Sequence, residues 1–127
     1  MKTLIATTLI ATLLFDLPAQ ARDRVIVQHG VASFYADRFH GRIMADGGRF
    51  NRNAAYAASR TLPLGTVAKV TNLRNGRQAV VRIRDRGPYV GRRIIDLSPA
   101  TASNLGFRNE GLAPVRIQVA QLAPRRR

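Results

Sequence analysis

Thr66-Val-Ala-Lys-Val-Thr-Asn-Leu73 and Arg77-Gln-Ala-Val-Val-Arg-Ile-Arg84, with Asn75-Gly76 between them, decide the fold of this chain. Both segments are rich in β-branched residues and equal in length, which marks a strand pair. Asn75 and Gly76 both tolerate positive φ, so they fit a type I′ hairpin turn. In the second segment Ala79, Val81 and Ile83 share one face and Arg82 and Arg84 the other, because side chains alternate along a strand. One face is built for burial and the other for water.

Outward from the hairpin, Gly87-Pro88 ends the second strand, and Arg93 to Leu97 is extended again. Ser98-Pro99 opens a short helix, with Ser98 as N-cap and Pro99 at the first helical position. Gly106 ends it, and Ala102 and Leu105, three apart, share its buried face. Val115, Ile117 and Val119 alternate with Arg116 and Gln118 as an edge-type strand. Upstream, Val25 to Val27 and Gly30 to Tyr35 read as two strands, and Leu62-Pro63-Leu64-Gly65 as a turn. Tyr56 to Ser59 carries small residues that admit close approach of backbone or ligand. Asp37 to Asn53 is rich in Gly, Arg and Asn with little periodicity and reads as a long loop, of the kind that carries function. Five to seven short strands, one clear helix and long loops indicate a mainly-β small barrel.

The bulk properties bound what such a barrel does. The chain has 127 residues, 46% hydrophobic and 22% charged, which is one globular domain. A domain this small binds in a surface groove rather than a large internal cavity. Lys2, the apolar run Leu4 to Leu14, Pro18 and Ala19-Gln20-Ala21 form a signal-peptide pattern, too short to span a membrane. The expected organisation is a signal at 1–21, a lead-in at 22–29, the barrel at 30–122 and a basic tail at 123–127. The chain has no cysteine, which excludes disulfides, thiol catalysis and a lipid-modified cysteine. The expected product is an exported, unanchored monomer, in a periplasm or outside the cell. Two His without a Cys or carboxylate cluster predict no metal site, and no cofactor is expected.

There are 21 Lys and Arg against 7 Asp and Glu, a net charge of +14. Loss of residues 1–21 takes one base, Lys2, and one acid, Asp16, so the charge stays. All the remaining bases but Lys69 are Arg, whose flat fork suits carboxylates and phosphates. Two readings stand: an acidic polymer partner, and a solvated surface that keeps the protein soluble. Export turns the first toward wall and envelope polymers and away from nucleic acid, for which no binding motif is present.

Several strings in order resemble one family. They are Gly30-Val-Ala-Ser-Phe-Tyr35, Phe39-His-Gly-Arg42, Thr61-Leu-Pro-Leu-Gly-Thr66, Val70-Thr-Asn-Leu73 and Asn75-Gly76-Arg77, then Asp85-Arg-Gly-Pro-Tyr89, Gly91-Arg-Arg-Ile-Ile-Asp-Leu-Ser98 and Leu105-Gly106. From about Gly30 to Leu122 the chain resembles the RlpA (rare lipoprotein A)-like domain, a six-stranded double-psi β-barrel with one or two short helices, related to the first domain of expansins. The resemblance implies action on peptidoglycan glycan strands as an endolytic lytic transglycosylase, with strands stripped of stem peptides preferred. The alternative is a non-catalytic, expansin-like module that binds wall glycan.

The resemblance also assigns residues. The acid of the Asp-Arg-Gly-Pro string is Asp85, expected as the catalytic residue at a strand end. If the strand continued straight, Asp85 would share the side of Ile83, while Arg84 and Arg86 flank it with charge. The family's Glu in the loop string is Gly48 here, and its His before Thr-Leu-Pro is Ser59. Asp46 is the nearest other carboxylate and doubles as a turn residue before Gly47. Tyr35 and Tyr89 border loops and suit stacking on sugar rings, and His40, Ser59 and Arg86 complete the expected substrate contacts. Asp96 is the second carboxylate, with a structural role at the helix start as its other reading.

Overall fold

The computed structural model describes residues 26–121. The expected signal segment, Val25 and the basic tail at 123–127 lie outside them. Six strands close into a barrel: β1 (Val27–Phe34), β2 (Tyr56–Ala58), β3 (Val67–Asn72), β4 (Gln78–Asp85), β5 (Arg93–Leu97) and β6 (Ala113–Gln121). Their order around the barrel is β1-β5-β2-β4-β3-β6, with β6 pairing back onto β1. The β1/β5 and β2/β4 pairs are parallel and the other four are antiparallel. A 3₁₀ turn (Asp37–Phe39) follows β1, and the single α-helix of the described residues, α1 (Pro99–Leu105), sits between β5 and β6.

The core is the alternation seen in the hairpin, repeated around the barrel. Val70, Val81, Ile83, Ile95, Leu97, Val115 and Ile117 are buried together, and Leu62, Leu105 and Phe107 join them. With no disulfide available, this packing holds the barrel closed. α1 begins and ends as expected. The Ser98 hydroxyl accepts the Thr101 N–H at 3.2 Å and donates to the Thr101 hydroxyl at 2.8 Å. At the other end Gly106 is left-handed at φ +79°, and the Phe107 N–H reaches back to the Ala102 carbonyl at 3.1 Å.

Four expectations change. The two predicted N-terminal strands are one: β1 runs through Gly30, where a Cβ would stand 2.8 Å from the Ile94 side chain. β6 is not an edge, because it pairs with β1 and β3 and the closed barrel has none. The 37–53 segment is not structureless, since it holds the 3₁₀ turn, a bridge from Ile43 to Arg49, and buried Met44 and Phe50. Finally, the hairpin turn is not type I′. Among the described residues no non-glycine has positive φ, so Asn75 does not; the connection is Leu73-Arg74-Asn75-Gly76, with Gly76 alone at +77°. The reason is tertiary. The Asn72 and Asn75 side-chain amides both donate to the Leu105 carbonyl, at 2.8 and 2.9 Å, so the turn is shaped around the end of α1.

Candidate active site

The barrel lays four residues in one row. Ser33 on β1 pairs with Asp96 on β5, Asp96 with Ala58 on β2, and Ala58 with Asp85 on β4. The last step depends on an irregularity: Ala57 faces Ile83, yet Ala58 faces Asp85, so Arg84 is an extra residue in β4. Asp85 therefore leaves the straight alternation that Ile83 follows. Ile83 is fully buried, whereas Asp85 is half-buried and lines a surface cleft of about 190 Å³ with Tyr35, Phe39, Arg42, Ile43, Met44 and Phe50.

Three donors hold the Asp85 carboxylate. The Tyr35 hydroxyl donates to Oδ2 at 2.6 Å, and the backbone N–H groups of Ala45 and Arg86 donate to Oδ1 at 2.8 and 2.9 Å. Tyr35 is braced by Phe50 (ring centroids 4.4 Å apart) and by the edge of Phe39 (5.9 Å). Burial, and then the bond to Asp85, push the Tyr35 phenol far above its ordinary range, so it serves as a proton-holding donor. Ala45 comes from the 41–50 loop, which docks on β4 through the Asp46 N–H to the Arg84 carbonyl at 3.1 Å. Buried Met44 and Phe50 anchor that loop.

Asp96 is the next carboxylate. Burial raises its pKa, against the Ser33 hydroxyl bond at 2.9 Å and the charge of Arg93, and the Asp85 charge adds to the rise. Helix capping falls to Ser98 instead. Asp46 is bound to Arg84, Nε to Oδ2 at 2.5 Å. Burial works against its charge, but the Arg84 guanidinium and the Gly48 N–H prevail and hold the carboxyl below its ordinary value. Arg84 also lies 4.4 Å over the Tyr56 ring, and a Cβ at residue 48 would run into its guanidinium. The Arg84–Asp46 pair thus occupies the space beside Gly48.

Ser59 is buried, and its hydroxyl accepts the N–H groups of Thr61 and Leu62 at 3.2 and 3.0 Å while its own N–H donates to the Asp85 carbonyl at 3.1 Å. The Arg86 guanidinium donates to the carbonyls of Ser59 and Leu62, at 2.8 and 2.6 Å, and ties that loop to the end of β4. His40 is exposed, with Nδ1 accepting the Arg52 N–H at 3.1 Å, and Tyr89 is 74% exposed; neither lines the Asp85 cleft. His29 lies in a separate cleft with Gln28, Arg60, Thr61 and Ile94. The structure thus brings Tyr35 and Asp85 into contact, with Ser59, Arg86 and Asp96 around them. It adds Ala45, Met44 and Phe50, which the sequence reading did not place in the site. Met44 and Phe50 carried one signal, as large apolar residues beside Ile43 in a loop of otherwise small and polar residues.

Comparison with known proteins bears on the family and the fold of the barrel. The lytic transglycolase (DPBB_1) family profile matches residues 27–117. The chain is 53% identical over 95 residues to the probable endolytic peptidoglycan transglycosylase RlpA of Synechocystis sp., covering 75% of this chain and 30% of that protein. It is 51% identical over 90 residues to the endolytic peptidoglycan transglycosylase RlpA of Campylobacter jejuni, covering 71% and 33%. It spans about a third of the length of these curated relatives. Among solved structures, the barrel is similar to apo Clavibacter michiganensis expansin, with a TM-score of 0.61 at 21% identity over 79% of this chain and 53% of that one. It is similar also to the Streptomyces papain inhibitor, with a TM-score of 0.57 at 25% identity over 74% and 94%. With the family profile over most of its length and a closed six-stranded barrel of expansin-like form, the chain belongs to the lytic transglycolase family of double-psi β-barrel domains.

Proposed function

We propose that this domain cleaves peptidoglycan glycan strands as an endolytic lytic transglycosylase, outside the cytoplasm, with Asp85 as its acid. The observation that carries this reading is the Asp85 carboxylate at a strand end in an open cleft, oriented by the Tyr35 hydroxyl and two backbone amides. One carboxyl group can serve both steps. As acid, Asp85 protonates the glycosidic oxygen and the bond from that oxygen to the muramyl C1 breaks. As base, it then takes the C6 hydroxyl proton while the C6 oxygen closes on C1. The product is a 1,6-anhydro ring, the proton is back on Asp85, and no water is consumed. A hydrolase of the two-carboxylate type would consume one. Tyr35 keeps its own proton and steadies Oδ2.

A second reading rests on the surroundings of Asp85. Residue 48 is Gly, the Ser59 hydroxyl is engaged by backbone N–H groups, and Asp46 is held by Arg84. Those features favour a wall-binding module that does not cut. Digestion of purified sacculi, with muropeptide analysis, separates the two. Anhydro-muramyl products from the parent, lost in Asp85→Asn, are expected. Equal products from Asp85→Asn remove Asp85 as the acid, and sacculus binding without any product favours the module.

A further inference from the structure

Arg84 is the extra residue in β4, and the irregularity that turns Asp85 into the cleft sets Arg84 directly before it. The Arg84 guanidinium lies 4.4 Å from the centre of the Tyr56 ring on the neighbouring strand β2, which orients it. From there its Nε donates to Asp46 Oδ2, while its own carbonyl accepts the Asp46 N–H at 3.1 Å. One residue of β4 thus holds one residue of the 41–50 loop twice, through side chain and through backbone. Asp46 is fixed on the loop side as well. Its Oδ1 accepts the Gly48 N–H at 2.9 Å, and the Gly48 carbonyl accepts the Met44 N–H at 2.7 Å.

The segment held in this way shapes the surroundings of the acid. Ala45, next to Asp46, donates its N–H to Asp85 Oδ1. Phe50, at the far end of the loop, packs on Tyr35, whose hydroxyl donates to Oδ2. Ile43 and Met44 complete the wall of the cleft. Two of the three donors to Asp85 therefore depend on the loop, one directly and one through Phe50. The other polar contacts of the loop are made within it or to the preceding 3₁₀ turn: Gly41 with Phe50, Arg42 with Phe39 and Phe50, Gly47 with Met44, and Arg49 with Gly41. Among the described residues, every hydrogen bond from the loop to a barrel strand ends on Arg84 or Asp85.

We propose that Arg84 is a positioning residue for Asp85. Through Asp46 it clamps the 41–50 loop onto β4, and the clamped loop keeps the Ala45 N–H and the Phe50–Tyr35 stack in place around the carboxylate. This rests on the reading of Asp85 as the acid that cuts the strand. Gly48 belongs to the same device, because a Cβ there would meet the Arg84 guanidinium and push it off Asp46. Without the clamp the acid keeps its place at the end of β4 but loses a fixed direction, and the barrier rises because a misdirected acid meets the glycosidic oxygen less often in productive geometry.

The test combines the initial rate of anhydro-muramyl release from purified sacculi with amide hydrogen exchange followed by NMR. Arg84→Met is expected to lower kcat by about ten- to a hundredfold and to change the half-saturating sacculus concentration by less than about twofold. The Ala45 amide is expected to exchange faster, while the β3 and β6 amides keep their protection and report an intact barrel. Asp46→Ala is expected to do the same, and the double variant to be no worse than either single one, because the two residues act as one unit. Arg84→Lys, which keeps a cation within reach of Asp46, is expected to recover most of the rate. Arg74→Met, which removes an exposed cation from the hairpin turn, is expected to match the parent. An unchanged kcat in Arg84→Met, an unchanged Ala45 exchange, additive losses in the double variant or an equal loss in Arg74→Met overturns the clamp while the reading of Asp85 stands. Loss of protection throughout the barrel in both single variants makes the pair merely structural and overturns the positioning role. Absence of product from the parent overturns the cutting reading and this role with it.

Discussion

Asp46 and Arg84 show how a single pair sets the character of this site. The two side chains are only 22% and 23% exposed, so their attraction is less screened than that of an open surface pair. The Asp46 carboxyl is held below its ordinary value, so its ionised form stabilises the fold. That contribution is complete above the unfolded-state pKa of about 4 and disappears as pH falls through the lower folded value. Asp46→Asn is thus expected to be less stable than the parent at pH 7, with the gap closing in acid; urea midpoints across the acid range measure it. A gap that stays constant with pH would contradict the pairing. Asp96 has the opposite sign, because its raised value means that its ionisation costs stability as pH rises. The family resemblance nominated Asp85, with Asp46 and Asp96 as the other carboxylates, but their different states come from partners far along the chain: Tyr35, Arg84 and Ser33.

At the level of elements, local chemistry predicted α1 well and the hairpin turn less well. The start and end of α1 depend on residues adjacent in sequence, Ser98-Pro99 and Gly106. The turn depends on the Leu105 carbonyl, thirty or more residues away, which Asn72 and Asn75 both engage. Two substitutions separate local from tertiary costs. Gly76→Ala meets no atom within 4 Å, so its cost is the left-handed backbone alone, about 1–2 kcal/mol. Ser98→Ala loses the Thr101 N–H bond and leaves the buried Thr101 hydroxyl without its donor, so it is expected to cost about 1–2 kcal/mol. Chemical denaturation of both variants checks these values; no loss in Ser98→Ala would show that the cap contributes nothing to the folded state.

For the whole molecule, charge and closure matter most. The barrel has no open strand edge, so its strongly basic surface faces solvent and partners through side chains. If Arg contacts dominate attachment to an acidic wall polymer, sacculus binding should weaken steadily as ionic strength rises to roughly 0.5 M, where the Debye length is a few ångström. A pull-down series in salt measures this, and retention independent of salt would assign the attachment to stacking and hydrogen bonds instead.

The paired alternation from Val67 to Ile83 and the caps of α1 were legible in the sequence, because burial period and capping act over a few residues, and the Asp85 string was legible through the family resemblance. The closure of β6 onto both β1 and β3 was not, nor was the extra residue that sets Asp85 opposite Ala58. Neither was the docking of Ala45 on Asp85, nor the place of Arg42 in the cleft. Each of these depends on strand register and on contacts between segments tens of residues apart, which only the closed barrel brings together.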